Sequence, residues 1–164
     1  MARELEADGS PSALHRMIKN LDDIEQIRQL KYRYCDFCDN DYEPDGIASL
    51  FVEDGVWDGG AFGHAEGRAA IRTFFAASPS VVKFAVHQVA NPIIEVDGDT
   101  ATGRWYLWQP MVMQKNDQAL WLAAKYKDQY VRTAEGWRFK HLALTIRMLS
   151  PYETGFGKMR MVSP

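Results

Sequence analysis

VVKFAVHQVANPIIEV (residues 81–96), TATGRWYLWQPMVM (100–113), ALWLAAKYKDQYVR (119–132) and GWRFKHLALTIRML (136–149) are four long runs rich in β-branched and aromatic residues. DGD (97–99), QKND (114–117) and TAEG (133–136) separate them, each a polar or glycine-bearing connector of hairpin length. This pattern predicts four antiparallel strands in meander order. Strands of this length exceed the common range, so the sheet is expected to be strongly twisted or bulged, with Pro92 and Pro110 at bulges or edges.

The segments before Pro79 read differently. DDIEQIRQLKYRYCDFC (22–38) places Ile24, Ile27, Leu30, Tyr34 and Cys38 at helical spacing behind a capping box of Asp22 and Glu25. Asn40, Pro44 and Gly46 break that helix, and GIASLF (46–51) reads as a short second helix ending at Phe51. VWDGGAF (56–62) suggests short extended pieces around a Gly-Gly turn, and GRAAIRTFFAAS (67–78) returns to helical spacing. Three helices followed by a curved meander form an α+β layer arrangement, a cone whose sheet wraps the helices around a cavity. The expected organisation is a mobile arm or short helix over 1–19, one domain over 20–150 and a tail over 151–164.

The bulk composition narrows the function classes. A chain of 164 residues, 46% hydrophobic and 12% aromatic, holds one domain with a substantial core. Its 19 basic and 22 acidic residues are spread along the chain for a net charge of −3, which gives no footprint for a nucleic-acid backbone. No apolar run approaches the ~20 residues that span a bilayer, and MARELEADGSPSALH (1–15) lacks the apolar region of a signal peptide, so a cytoplasmic protein with no membrane partner is expected. Cys35 and Cys38 form a C-x-x-C inside a helix, without a second pair or a preceding strand, and read as small half-buried helix residues. The histidines at 15, 64, 87 and 141 are scattered, which speaks against a metal site, and no glycine-rich nucleotide motif is present. No cofactor is expected.

The helix IEQIRQLKYRYCDFCDND, the following SLFVEDGVWDG, the EGRAAIRTFF helix and VHQVANPIIEVDGDTATGRWYLW resemble the SnoaL-like branch of the NTF2-like superfamily. That branch includes scytalone dehydratase, hexachlorocyclohexane dehydrochlorinase and bile-acid 7α-dehydratase; its relatives include ketosteroid isomerase and dioxygenase small subunits. The resemblance covers about residues 20–150 and implies an NTF2-like, cystatin-like cone: three N-terminal helices packed in a strongly curved, mostly antiparallel sheet. It also implies a site residue by residue. A Tyr at the end of the first helix, an Asp five positions later and a His on the first long strand match Tyr34, Asp39 and His87, and Arg147 is the nearest match to an Arg late in the last strand. The carboxylate that the bile-acid enzyme carries on its second long strand has no clear counterpart, since that stretch reads Trp108, Gln109, Pro110.

These residue types suit an elimination. His87 can take a carbon-bound proton, and a carboxylate on its other ring nitrogen fixes the tautomer and stabilises the imidazolium that forms. Asp39 is the expected carboxylate. Tyr34 stays protonated near neutrality and can donate to a leaving hydroxyl or a developing enolate, while Arg147 could add a fixed positive charge. Positions 34 and 39 lie about 140° apart on an ideal helix, so both can face one cavity only if the helix ends or bends by Asp39. Among Trp105, Tyr106, Trp108, Trp121, Tyr126 and Tyr130, about half are expected to line the cavity or an oligomer interface, and Trp57, Tyr106, Trp108 and Tyr126 are the expected substrate contacts. His64 is expected on the surface or rim, and His141 in a packing role.

The resulting expectation is a cofactor-independent lyase, a dehydratase or related eliminase acting on a hydrophobic cyclic, phenolic or steroid-like small molecule. Release of formaldehyde from a lignin-derived phenolic diol, double-bond isomerisation, a non-catalytic small subunit of a ring-hydroxylating oxygenase, and a ligand-holding module are the alternatives. A homo-oligomer, trimer or dimer, is expected through the outer sheet face.

Overall fold

In a computed structural model, residues 10–163 are described. Helix α1 spans Pro11–Asp39, so it begins nine residues before Asn20. Its start is set by Ser10, whose Oγ accepts the Ala13 N–H at 3.1 Å, and by Pro11 at the first helical position, where a missing N–H costs nothing. The expected capping box is therefore mid-helix: Asp22 and Glu25 instead accept from Gln26 and Gln29 one turn on. Of the expected arm, residues 1–9 lie outside the described residues. The helix stops where Asp41 and Tyr42 adopt left-handed backbone angles (φ 53° and 55°) ahead of Pro44.

Helix α2 (Pro44–Ser49) is followed by strand β1 (Phe51–Asp58), a tight Gly59–Gly60 turn, strand β2 (His64–Glu66) and helix α3 (Arg68–Ala77). The remaining strands are β3 (Val82–Ala85), β4 (Gln88–Asp97), β5 (Thr100–Met113), β6 (Ala119–Thr133) and β7 (Gly136–Pro151). The sheet runs β2-β1-β7-β6-β5, and β5 then pairs along one half with β4 and along the other with β3. All pairings are antiparallel except β1 with β7, which makes this an unclosed mixed sheet.

The four-strand meander is present, with one correction: residues 81–96 are two strands, and His87 occupies the break between them rather than a strand. Register shifts bend the sheet at Ala90/Ile93, where Asn91 has φ 51° and Pro92 follows, and again at Ala123/Ala124 and Gln129/Tyr130. Pro110 sits where β5 changes partner from β4 to β3. Beyond β7 the tail turns back, and Leu149 exchanges backbone hydrogen bonds with Arg160 and Val162.

Alternation along β5 and β6 sends Trp105, Leu107, Leu122, Tyr126 and Tyr130 inward against Ile27, Leu30 and Tyr34 of α1 and Phe75 of α3. Two buried charge clusters tie α1 to the sheet. Asp23 accepts two hydrogen bonds from the Arg132 guanidinium (2.6 and 2.7 Å) and one from Trp137 Nε1 (3.2 Å). Lys31 and Asp128, both fully buried, meet at 3.0 Å, and Lys31 Nζ lies 3.2 Å from the Tyr126 ring centroid. No helix among the described residues is long and apolar enough to cross a membrane.

Candidate active site

A cavity of about 400 Å³ opens between α1, α3 and the inner face of the sheet. Aromatic and aliphatic groups dominate it, among them Trp57, Phe62, Phe74, Phe75 and Leu122, and no Lys, Arg, Asp or Glu is part of its lining. Its polar groups are the phenols of Tyr34, Tyr42 and Tyr126, the imidazole of His87, the Gln109 amide and the hydroxyls of Thr73 and Ser78.

His87 is placed by the strand break. Ala85 pairs with Met111 and Gln88 with Trp108, so the chain between them sets His87 across from Gln109 while leaving its own N–H out of the ladder. Asp39, the last residue of α1, fills that vacancy: its two carboxylate oxygens accept the His87 N–H at 2.9 and 3.1 Å, and Oδ1 also meets His87 Nδ1 at 2.7 Å. One carboxylate thus clamps backbone and ring together. The His87 side chain is 6% exposed and that of Asp39 29%, so the acid faces water while the imidazole faces the cavity. With Nδ1–H donated to Asp39, the lone pair is on Nε2, the arrangement of an oriented general base. The Tyr42 ring meets the imidazole edge-on at 6.2 Å. The 140° between positions 34 and 39 is no obstacle because α1 ends at Asp39, whose side chain turns toward the β3–β4 break.

Tyr34 is buried in the cavity wall, and its hydroxyl accepts a hydrogen bond from Trp57 Nε1 at 2.9 Å. Burial, with further contributions from Cys38 and Tyr126, pushes this phenol far above its usual pKa. It is a neutral donor across the physiological range. Of the four residues expected to contact substrate, Trp57 and Tyr126 line the cavity.

Arg147, Tyr106 and Trp108 do not. All three stand exposed on the opposite face of the sheet, where Trp108 stacks on Trp121 with ring centroids 5.1 Å apart. For the two aromatics the reason is strand parity: inward positions of β5 are Ala101, Gly103, Trp105, Leu107 and Gln109, which sends Tyr106 and Trp108 outward. That same parity brings in Gln109, which sequence reasoning passed over. It is 4% exposed, and Met111 Sδ at 3.8 Å is the partner of its amide Nε2. Tyr42 was also missed. His64 is exposed beside Glu66, and His141 is half-buried with Nε2 unpaired. Cys35 and Cys38 are buried free thiols, and burial pushes Cys35 up to about 12.

Comparison with known proteins places this architecture. Residues 19–143 match the SnoaL-like domain. An uncharacterised protein of Mycobacterium tuberculosis is 30% identical over 123 residues, covering 74% of this chain and 83% of its own length, and a Mycobacterium bovis protein matches equally. Among solved structures, an NTF2-like protein with a cystatin-like fold from Novosphingobium aromaticivorans is 26% identical with a TM-score of 0.69, covering 84% of this chain and 90% of its own. Hexachlorocyclohexane dehydrochlorinase LinA-type3 from Novosphingobium barchaimii superposes with a TM-score of 0.74 at 19% identity, covering 90% of this chain and 99% of its own. A Novosphingobium aromaticivorans protein provisionally named a scytalone dehydratase gives 0.76 at 24%, covering 83% and 91%. The chain belongs to the SnoaL-like domain family, within the NTF2-like superfamily.

Proposed function

We propose that this protein is a cofactor-independent lyase that eliminates water, or a comparable leaving group, from a neutral hydrophobic cyclic, phenolic or steroid-like small molecule. The observation that carries the reading is the Asp39–His87 pair at the wall of an apolar cavity. The remote likeness to a dehydrochlorinase carries the fold; the reaction class rests on the site. His87 Nε2 takes a proton from carbon as the carbon–oxygen bond breaks and the double bond forms. Asp39 stabilises the resulting imidazolium. Tyr34 gives its proton to the departing oxygen, which leaves as water; the Trp57 N–H steadies the phenolate, and the proton held by His87 then returns to it through the released water, restoring both groups. The largely apolar wall strengthens each of these interactions. A lining with no fixed charge selects against anionic substrates, which would lose their hydration without gaining a partner.

The test is turnover of a panel of cyclic and phenolic alcohols by the wild type, His87→Ala and Asp39→Asn. Each substitution is expected to lower kcat by about 10²- to 10⁴-fold with the circular dichroism spectrum unchanged. Recovery of every bound compound unchanged would make the cone a binding module. Full activity after His87→Ala, with stable co-purification of an iron-containing large subunit, would make it a non-catalytic small subunit. The outer face around Trp108, Trp121 and Tyr152 supports a homo-oligomer, dimer or trimer, which sedimentation equilibrium would number.

A further inference from the structure

The strands that wall the apolar cavity carry a second hollow on their outer face. It measures about 610 Å³; Arg104 and Tyr106 of β5, Lys125 and Lys127 of β6 and Arg147 of β7 set its charge, on a floor that includes Ile93 of β4 and Ile146 of β7, with Asn91 of β4 at its side. No Asp or Glu is part of the lining. Along β4 the next carboxylate, Glu95, lies opposite Thr102 and lines the neighbouring hollow.

Arg104 and Lys127 are placed against their own electrostatic interest, whereas Lys125 lies over the Tyr106 ring with its Nζ 4.5 Å from the centroid. Arg104 is directly opposite Lys127 in the β5–β6 register, and Lys125 is diagonal to Arg104. Opposed like charges destabilise a sheet. Among the described residues none of the four cations forms an ion pair, although the chain has 22 acidic residues and a net charge of −3. The Tyr106 hydroxyl reports the field they make. Lys125 beside it, then the charges of Arg147 and Arg104, hold this phenol below its usual pKa, so a negative charge is favoured there.

We propose that this outer hollow binds a small polyanion carrying two or more phosphate or carboxylate groups, gripped by the forked guanidiniums of Arg104 and Arg147 with Lys125 and Lys127 as point charges. Two planar forks suit oxyanions with paired oxygens. Four cations in this volume exceed what one oxyanion neutralises. A stripe that tracked a nucleic-acid backbone would continue along the sheet, whereas this patch is bounded by Glu95 and Asp97 on one side and by the apolar Trp108–Trp121 stack on the other. The site is independent of the elimination chemistry proposed for the inner cavity.

Inorganic pyrophosphate, inorganic triphosphate and citrate, titrated into the full chain by calorimetry at low ionic strength, separate the phosphate source from the carboxylate source. Saturable one-to-one binding by at least one probe is expected, weakening steeply with added salt. The Arg104→Gln/Lys127→Gln variant should bind at least tenfold more weakly, yet melt higher than wild type without ligand because the opposed charges are gone. In wild type the bound anion should raise the pKa of Tyr106, read from phenolate absorbance. Failure of all three probes to saturate, equal binding by the variant, or lower unliganded stability of the variant would each overturn the assignment.

Discussion

Lys31→Met removes the cation that lies 3.0 Å from Asp128, in a place where neither side chain has any exposure to water. Asp128 then keeps one hydrogen bond, from the Tyr130 hydroxyl at 2.9 Å, while its Oδ1 has no partner even in the intact protein. A buried charge left without its counter-ion costs about 3–5 kcal/mol. For a chain of this size that is a fall in Tm of roughly 6–20 °C, or a drop of about 2 M in the urea midpoint. The replacement of both partners, Lys31→Met with Asp128→Leu, should recover much of the loss, because it removes both desolvation penalties. The pH dependence has a definite sign. Burial raises the folded-state pKa of Asp128 above its unfolded value of about 3.9, so the stabilising protonated form is favoured at low pH and lost as pH rises. Without Lys31 that rise is larger, and the Lys31→Met deficit should be smaller near pH 5 than near pH 8. Urea unfolding of wild type, both singles and the double at the two pH values gives the full cycle. Additive single effects, or a Lys31→Met cost below about 1 kcal/mol, would show that the pair is not the buried ion pair described.

Asp23 responds to acid in the opposite direction. The Arg132 hydrogen bonds hold its folded-state pKa below the unfolded value, so its stabilisation is complete above about pH 4 and disappears as pH falls through the depressed value. Asp23→Asn should flatten the acid limb of a Tm-versus-pH curve and leave the neutral limb lower and parallel to wild type. Gln109→Leu should raise KM or lower kcat for an oxygen-bearing substrate while leaving stability within about 1 kcal/mol, because the amide's partner in the unliganded cavity is a thioether. Gln109→Glu, which puts a charge into a lining that has none, should be worse than leucine in both stability and turnover. Cys35 and Cys38 should resist iodoacetamide in the native state and react only on unfolding, read by mass spectrometry, because burial keeps both thiols protonated.

Much of this fold could be read from residue order because its signals are local. The hairpin connectors at 97–99, 114–117 and 133–136 each separate two apolar runs, and the strands follow. Three features failed to read for definable reasons. Ser10-Pro11 resembles a breaker but is the cap and first residue of α1, since proline is equally at home at a helix start. VVKFAVHQV gives no sign of ending a strand at Ala85, and the partner that takes up the His87 N–H at the break, the Asp39 carboxylate, lies 48 residues away in sequence. The faces of Tyr106 and Trp108 do not read from the sequence, because aromatics occupy both parities of β5 at 105, 106 and 108. The pattern can be solved only once Trp105 is known to point inward.

A signal for the buried ion pair was available. Lys31 stands four residues after Ile27, on the apolar stripe of α1, and Asp128 shares strand parity with Leu122, Ala124, Tyr126 and Tyr130. A lone charge on each of two otherwise apolar faces is what a buried partnership looks like in one dimension. The Asp39–His87 pairing could be read only through resemblance, because nothing in the spacing of residues 39 and 87 implies contact.

The state of the His87 ring can be measured before any substrate is known. In ¹⁵N NMR of imidazole-labelled protein, the neutral His87 ring should carry its proton on Nδ1, with that proton shifted downfield by the Asp39 carboxylate. Asp39→Asn should abolish the downfield signal, and a hydrophobic cyclic alcohol should perturb the Nε2 resonance in wild type. A neutral ring protonated on Nε2, or a spectrum indifferent to Asp39→Asn, would mean that His87 is not held as a base facing the cavity, and the elimination chemistry would lose its proton acceptor.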